Sequence, residues 1–410
     1  SRMLGCPDLR ELKGRFEGRT MVLVSAGPSL DEALPFVKAA CEDALVVAVN
    51  SSYRALRNAG IAPHFVMAAD PYEHTAKGFE GVETEGTILV APFIVYPKVS
   101  ELFEGRTVTW SENNVLATSF REALGLGVGS RVVEQGTVSA CGFDLAKVLG
   151  CRRILMVGQD LAAREDGQTH ATDSFYTGEG LNFTDVEACR WMPGNTIEKV
   201  PVESKLYVYL KTFEQLAGSY GEDLELVNTS RLGARIEGIP YEPAEAAFGR
   251  LGDERYEWDL GERFEEVFED VSKRRVESDP IRDEMKRLSA YLKGVSSTAL
   301  SIALEIEIGG EGGFAEDSQL EELRRKEREL DGLVQSDPRF EGILREGQLK
   351  LELARFKKEM RALGEDLSER ERSLERTKGL CWALAEGAFR LYCDSREGMG
   401  EGTHEEQALR

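Results

Sequence analysis

No apolar run in the chain approaches the roughly 20 residues of a membrane-spanning helix. The opening residues show no secretory signal pattern. Cysteine is sparse and scattered: Cys6, Cys41, Cys141, Cys151, Cys189, Cys381 and Cys393 are odd in number, and none forms a C-x-x-C pair. Neither a zinc site of the usual spacing nor a disulfide framework is indicated, and a cytoplasmic, reducing environment is expected. Positive charge is in deficit. Lys and Arg number 51 against 73 Asp and Glu, a net charge of −22, which argues against nucleic acid as a partner but leaves room for a local basic pocket. There is no G-x-x-x-x-G-K-[ST] loop, no G-x-S-x-G elbow and no H-E-x-x-H pattern. A P-loop NTPase, an α/β-hydrolase and a zincin are thereby disfavoured. Histidine is rare: His64, His74, His170 and His404 are all there are.

What is present is a folded chain of 410 residues, 41% hydrophobic and 30% charged, long enough for two or three domains. Up to about residue 250 short apolar runs alternate with amphipathic stretches. Strands are expected at Met21–Ala26, Leu45–Asn50, Phe65–Ala69, Thr87–Ala91, Thr107–Trp110, Arg153–Val157 and Leu224–Val227. Helices are expected at Leu30–Cys41, Ser51–Ala59, Thr137–Leu149 and Ser204–Ala217. This alternation is that of an α/β, Rossmann-like, mostly parallel sheet covered by helices. From about Asp253 the strand signals stop and Leu, Glu, Arg and Lys dominate. The expected domains are therefore 1–252, the nucleotide-binding sheet, and 253–410, an all-α helical bundle. In the latter, Asp279-Pro280 and Asp337-Pro338 read as helix starts. Ile281, Met285, Leu288, Leu292, Val295, Ala299, Ile302 and Ile306 form a 4-3 apolar seam, and Leu349, Leu353, Phe356, Met360, Leu363 and Leu367 repeat it. The seam is either a bundle interior or a surface for a protein partner or a second subunit. The glycines between Ile308 and Phe314 read as a break between helices, and the polar residues after Ser395 as a frayed tail.

Ligands in such sheets bind outside the carboxyl ends of the strands. The first strand runs into Gly27-Pro28-Ser29, where Gly27 permits a tight turn and Ser29 can cap a helix from Leu30. Strand, turn and helix N-terminus suit a phosphate, although Asp31 and Glu32 oppose an anion there. Asn50 ends the second strand, either to read a base or ribose edge or to cap the helix at Ser51. Asp70-Pro71 ends the third, as a ligand for a ribose hydroxyl or magnesium or as a plain turn. Gly136-Thr137-Val138 opens another helix and is a second phosphate-facing turn. Gln159 and Asp160 end the strand at Arg153–Val157, and the polar loop beyond carries His170, Tyr176 and Asn182. His170 is a candidate general base; the plain alternative is a surface histidine in a mobile loop.

The ordered set Ser25-Ala-Gly-Pro-Ser-Leu30, Asn50 to Tyr53, Ala69-Asp-Pro71, Gly136-Thr-Val138, Gly158-Gln-Asp-Leu161, Thr169-His-Ala171, Val227-Asn-Thr-Ser230 and Gly233-Ala-Arg-Ile-Glu-Gly238 resembles the Maf family, the motility-associated factors that glycosylate flagellin. These share a domain with archaeal pterin diphosphokinases of the MptE type. The core is also similar to bacterial CMP-sialic-acid sialyltransferases. The resemblance covers roughly residues 15 to 250. It implies a glycosyltransferase that moves a nonulosonic acid, of pseudaminic or legionaminic type, from its CMP-activated form to Ser or Thr of flagellin. Nucleotide contacts are then expected from Gly27, Pro28, Ser29, Asn50, Ser51, Asp70, Pro71, Gly136, Thr137, Val138 and Gln159, with His170 and Asp160 as catalytic candidates. No metal or other cofactor is required on this reading; the CMP-sugar is the donor and flagellin the acceptor, with self-association possible through the helical domain. Maf proteins usually carry a further domain before the glycine turn, so a minimal or truncated member is expected. The alternative is an ATP- and magnesium-dependent 6-hydroxymethylpterin diphosphokinase, with Asp70 and Asp160 on the metal; a third reading is a nucleotide-binding module without activity.

Overall fold

A computed structural model describes residues 2–110, 115–127, 129–132, 136–178, 180–254, 256–273, 278–310, 317–346 and 369–398. The chain divides into two compact units. One comprises residues 2–113 and 129–276, the other residues 114–128 and 277–410.

The first unit is built on seven parallel strands: β1 Thr20–Val24, β2 Leu45–Val49, β3 Phe65–Met67, β4 Ile88–Pro92, β5 Thr107–Trp110, β6 Arg153–Val157 and β9 Glu225–Asn228. Their order across the sheet is β5-β4-β3-β2-β1-β6-β9. Strands β1 to β6 are buried at every position, which is why they read as continuous apolar runs rather than as alternation. Two hydrophobic cores cover the two faces. Leu23, Val47 and Met156 belong to one, and Val22, Val46 and Leu155 to the other, as the pleat requires. The covering helices are α1 Leu30–Ala40, α2 Asn50–Asn58, α3 His74–Lys77 and α4 Pro97–Leu102, then α6 Val138–Leu149, α7 Phe175–Gly178, α8 Ser204–Tyr220, α9 Ala244–Gly249 and α10 Leu260–Lys273. Although α10 follows the change of composition at Asp253, it lies in this unit: Leu260, Phe264, Val267 and Val271 enter the sheet's core. An antiparallel hairpin, β7 Arg190–Pro193 with β8 Lys199–Val202, was not expected. Its first strand is mostly exposed, so no apolar alternation betrays it.

Two caps differ from expectation. Ser29 stands before α1 but makes no capping bond; its hydroxyl is used elsewhere. Helix α2 begins at Asn50, not Ser51, so Asn50 is inside the helix and Val49 precedes it.

The second unit contains α5 Val115–Ala123, α11 Ser278–Gly310, α12 Asp317–Val334, α13 Pro338–Glu346 and α14 Glu369–Gly398. The first seam is largely its interior: Ile281, Leu288, Leu292, Val295, Ala299, Ile302 and Ile306 are buried and Met285 is half-buried. Pro338 opens α13 behind Asp337, whose carboxylate accepts from the Arg339 N–H at 3.1 Å. Helix α11 already includes Ser278, ahead of the expected start at Asp279-Pro280, and it runs through Ile308 and Gly309 to Gly310. Helix α14 continues past Ser395 to Gly398. The second seam, Leu349 to Leu367, the glycines beyond Gly310 and the last twelve residues lie outside the described residues. Among the described residues no helix is long and apolar enough to cross a membrane.

His64 stands just before β3. Its Nδ1 accepts the Val46 N–H at 3.0 Å and its ring meets Phe264 edge-on. Burial pushes its pKa down from 6.5 to about 4. A depressed folded pKa means neutral histidine is favoured by folding, so this contribution is full above about pH 6.5 and is lost as pH falls towards 4. Asp160, raised to about 6 by burial, works in the opposite sense over the same window. The readout is therefore a difference: His64→Gln should be less acid-sensitive than the parent when urea midpoints are compared at pH 7 and pH 4.5. Equal acid sensitivity would remove His64 as a source of the slope.

Candidate functional site

The parallel sheet brings the ends of β1, β2, β3 and β6 to one edge. The chain steps outward from β1 to β5 and then returns to place β6 on the other side of β1. The crevice between β1 and β6 is therefore the switch point, where such sheets receive ligands.

Here the protein's own groups fill that crevice. The Gly27 N–H donates to Gly158 O at 2.8 Å, and Ser25 Oγ donates to Gln159 Oε1 at 2.7 Å. Ser29 donates to the Asp160 carboxylate from its N–H, at 3.2 and 3.3 Å, and from Oγ at 2.5 Å. Asp160 is 3% exposed. The start of α1, expected to face a phosphate, thus already holds an anion supplied from 131 residues away. The turn is tight because Gly27 lacks a side chain: a Cβ there would overlap Asp160 Oδ2 and lie 2.5 Å from Gly158 O. Leu161 follows with φ 52°, a left-handed conformation unusual for a branched residue. The other carboxylates of this helix end are also engaged, Asp31 by Thr172 and Glu32 by Arg231 at 3.0 Å.

The other two expected helix starts, those of α2 and α6, hold no such anion among the described residues. Neither α2 nor α6 has a side-chain cap or an acidic residue in its first turn. Ser52, in the first turn of α2, turns its hydroxyl onto Val24 O and Val49 O. Thr137 Oγ1 lies 3.2 Å from Ser139 Oγ at the start of α6. Gly136 sits beside Tyr209 of α8.

The loop after Asp160 brings His170 to the same region. His170 is half-buried, with its ring centroid 4.3 Å from that of Tyr176 and its Nδ1 2.8 Å from Thr169 Oγ1. The loop is well tied: Thr169 N donates to Asn182 O at 2.7 Å, and Gln168 Nε2 to His170 O at 2.7 Å. Burial first, then the positive field of Lys205, hold His170 down at about 4, so it is neutral at pH 7. The Tyr176 phenol is raised chiefly by burial, and it feels the charges of Lys205, Asp70 and Tyr209. Tyr176 thus lies in the field of Asp70 and Lys205, and Tyr209, whose charge it also feels, packs beside Gly136.

Lys205 lies in the first turn of α8, and no motif in the sequence marks it. It is exposed, its ammonium lies 5.7 Å from the Tyr209 ring centre, and it forms no ion pair among the described residues. A lone lysine in a chain with 51 basic residues carries no local signal; only the fold puts it beside His170. No hydrogen bond links His170 to Asp160: one faces Tyr176, the other Ser29. Among the described residues no cluster of three or more His, Cys, Asp or Glu is placed to hold a metal ion.

Residues 1–166 match the family described as 6-hydroxymethylpterin diphosphokinase MptE-like. No curated protein sequence is significantly similar to the chain. Among solved structures, the Maf glycosyltransferase from Magnetospirillum magneticum AMB-1 matches with a TM-score of 0.53 at 17% identity. The match covers 98% of this chain and 58% of that one, so the chain spans less than two thirds of its neighbour. Its first 166 residues are thus similar to the MptE-like family, and its fold resembles that of a Maf glycosyltransferase.

Proposed function

We propose that this chain is a glycosyltransferase that moves a nonulosonic acid from its CMP-activated form to a Ser or Thr hydroxyl of flagellin. The observation that carries the reading is a neutral histidine on a tied loop, in tilted ring contact with Tyr176 and near Lys205, a cation without an ion pair among the described residues, at the carboxyl edge of a parallel sheet. An acceptor hydroxyl needs a base, and a neutral imidazole within reach can take its proton. A departing CMP carries a phosphate, and N–H donors with a nearby cation stabilise that charge. Because Asp160 occupies the start of α1, we assign the phosphate to the starts of α2 at Asn50–Ser51 and α6 at Thr137–Val138, which carry no side-chain cap among the described residues, with Lys205, near His170, as the cation. The Maf-like fold supports the class of reaction; donor and acceptor rest on the resemblance of the motifs.

A second reading is favoured by the MptE-like match: diphosphoryl transfer from ATP to a pterin, with magnesium. It would use Asp70 and Asp160 on the metal, yet Asp160 is committed to Ser29. Thermal shift with CMP, CDP, ATP and 6-hydroxymethylpterin, with and without magnesium, separates the two. On the proposed reading CMP raises the melting temperature equally with EDTA present, and at a hundred times its Kd adds about 2.7 kcal/mol to stability. Stabilisation by ATP and pterin that disappears with EDTA, and none by CMP, would replace it with the diphosphokinase.

A further inference from the structure

The loop that carries His170 is fastened to α1 by a carboxylate that the proposed reaction does not use. Asp31 accepts the Thr172 N–H at 3.1 Å on both of its oxygens, and the Thr172 hydroxyl at 2.7 Å on Oδ2. Alongside, the Ala171 N–H donates to Ala26 O at 2.8 Å. From Ala171 onward the chain turns back on itself, with Ser174 N and Thr177 Oγ1 both donating to Ala171 O at 3.1 and 2.7 Å. That turn delivers Tyr176 against the imidazole. Thr172 therefore lies between the histidine and the aromatic ring it packs on, and among the described residues Asp31 is the only charged group bonded to it.

The placement has a physical logic. A carboxylate in the first turn of a helix is favoured by the helix dipole, so Asp31 costs α1 nothing, and charge-assisted bonds are stronger than neutral ones. Its neighbours on the same helix end do other work: Glu32 binds Arg231 and Ser29 binds Asp160, both outside the segment 169–177. Among the described residues only Asp31 bonds a side chain of the histidine's own loop to α1.

We propose that Asp31 is the positioning residue of His170: through Thr172 it sets the loop so that the imidazole is packed on Tyr176 and screened from water. The inference builds on His170 as the base of sugar transfer, but its test does not depend on transfer.

The test is a titration of His170 by proton–carbon NMR of its ring, assigned with His170→Gln, in the full chain. The groups facing the imidazole are Tyr176, Thr169 and Lys205. In the parent His170 titrates near 4. Asp31→Ala should move it upward by a unit or more, towards the ordinary 6.5, because a loosened loop admits water. The sign is diagnostic. Deleting a negative charge would by itself move a histidine downward, so an upward shift reports lost positioning and not lost charge. Thr172→Val, which removes only the hydroxyl, should move it in the same direction by less, and it keeps the test open should Asp31→Ala fail to fold. Glu32→Gln, one residue along, should leave it in place.

An unchanged or lowered titration in Asp31→Ala or, should that fail to fold, in Thr172→Val, or an equal rise in Glu32→Gln, overturns the proposal. Transfer is the separate readout. With His170 as the base, Asp31→Ala should lower turnover about tenfold at unchanged CMP affinity. Should the titration move while His170→Ala keeps its turnover, the positioning stands and the base assignment falls.

Discussion

His170→Ala should lower turnover in sugar transfer by roughly a hundredfold or more, about 2.7 kcal/mol of barrier. CMP affinity should change little, since the nucleotide is assigned to backbone donors, Asn50 and Lys205. The pH dependence differs from that of an ordinary histidine. Burial and Lys205 hold the free-enzyme pKa near 4, so kcat/KM should rise from below pH 4 and be level by about 6. An anionic ligand beside Lys205 offsets the charge that depresses His170, so the limb in kcat should lie at higher pH than that in kcat/KM. A rise in kcat/KM centred near 6 instead would point to Asp160, whose carboxyl burial raises to about 6. Normal turnover in His170→Ala would leave the histidine as a packing partner of Tyr176, with the phenol the next candidate.

The second large effect concerns the turns that follow the paired strands β1 and β6. Gly158→Ala should cost about 3 kcal/mol or more and lower the melting temperature by roughly 10 °C. Gly158 has φ +63°, where a side chain is itself strained. A Cβ there would overlap Ser25 O and lie 3.1 Å from the Leu30 Cβ. Both obstacles are on rigid parts of the turn, since Ser25 N is tied to Val157 O at 2.8 Å and Gly27 N to Gly158 O. Gly218→Ala, in α8 with nothing near its added methyl, is the control and should stabilise by up to about 1 kcal/mol. Equal melting of parent and Gly158→Ala would mean that the two strand ends do not approach as described.

Much of the sheet was readable in advance because each strand is a short apolar run with its own turn signals. β5 and β6 lie where the run of residues put them, at Thr107–Trp110 and Arg153–Val157, and the others differ by one or two residues at their ends. The hairpin β7–β8 was not readable, since Trp191 is 51% exposed and the pairing, not burial, defines the strand. The site was readable in part. The strand ends at Gly27, Asn50, Asp70 and Gln159 were identifiable because a parallel sheet must present them on one edge. Their roles were not. Ser29 reads as a cap, yet its hydroxyl goes to Asp160; Asp31 and Glu32 read as charges opposing an anion, yet they hold Thr172 and Arg231.

Local pattern by itself therefore determined the α/β class, the seven strands of the parallel sheet, the change to helix-rich sequence near Asp253 and the edge on which to look. Those follow from interactions between residues a few positions apart: strand apolarity, turn glycines and the helical 4-3 repeat. Tertiary structure alone decided that the start of α1 is filled by Asp160, that Lys205 stands near His170, and that His170 is neutral and tied rather than mobile. These depend on partners far apart in the chain, such as Asp31 with Thr172, 141 residues away, and Ser29 with Asp160, 131 residues away. A charge or hydroxyl takes its role from whichever group the fold brings within about 3 Å of it, and no spacing along the chain encodes that meeting.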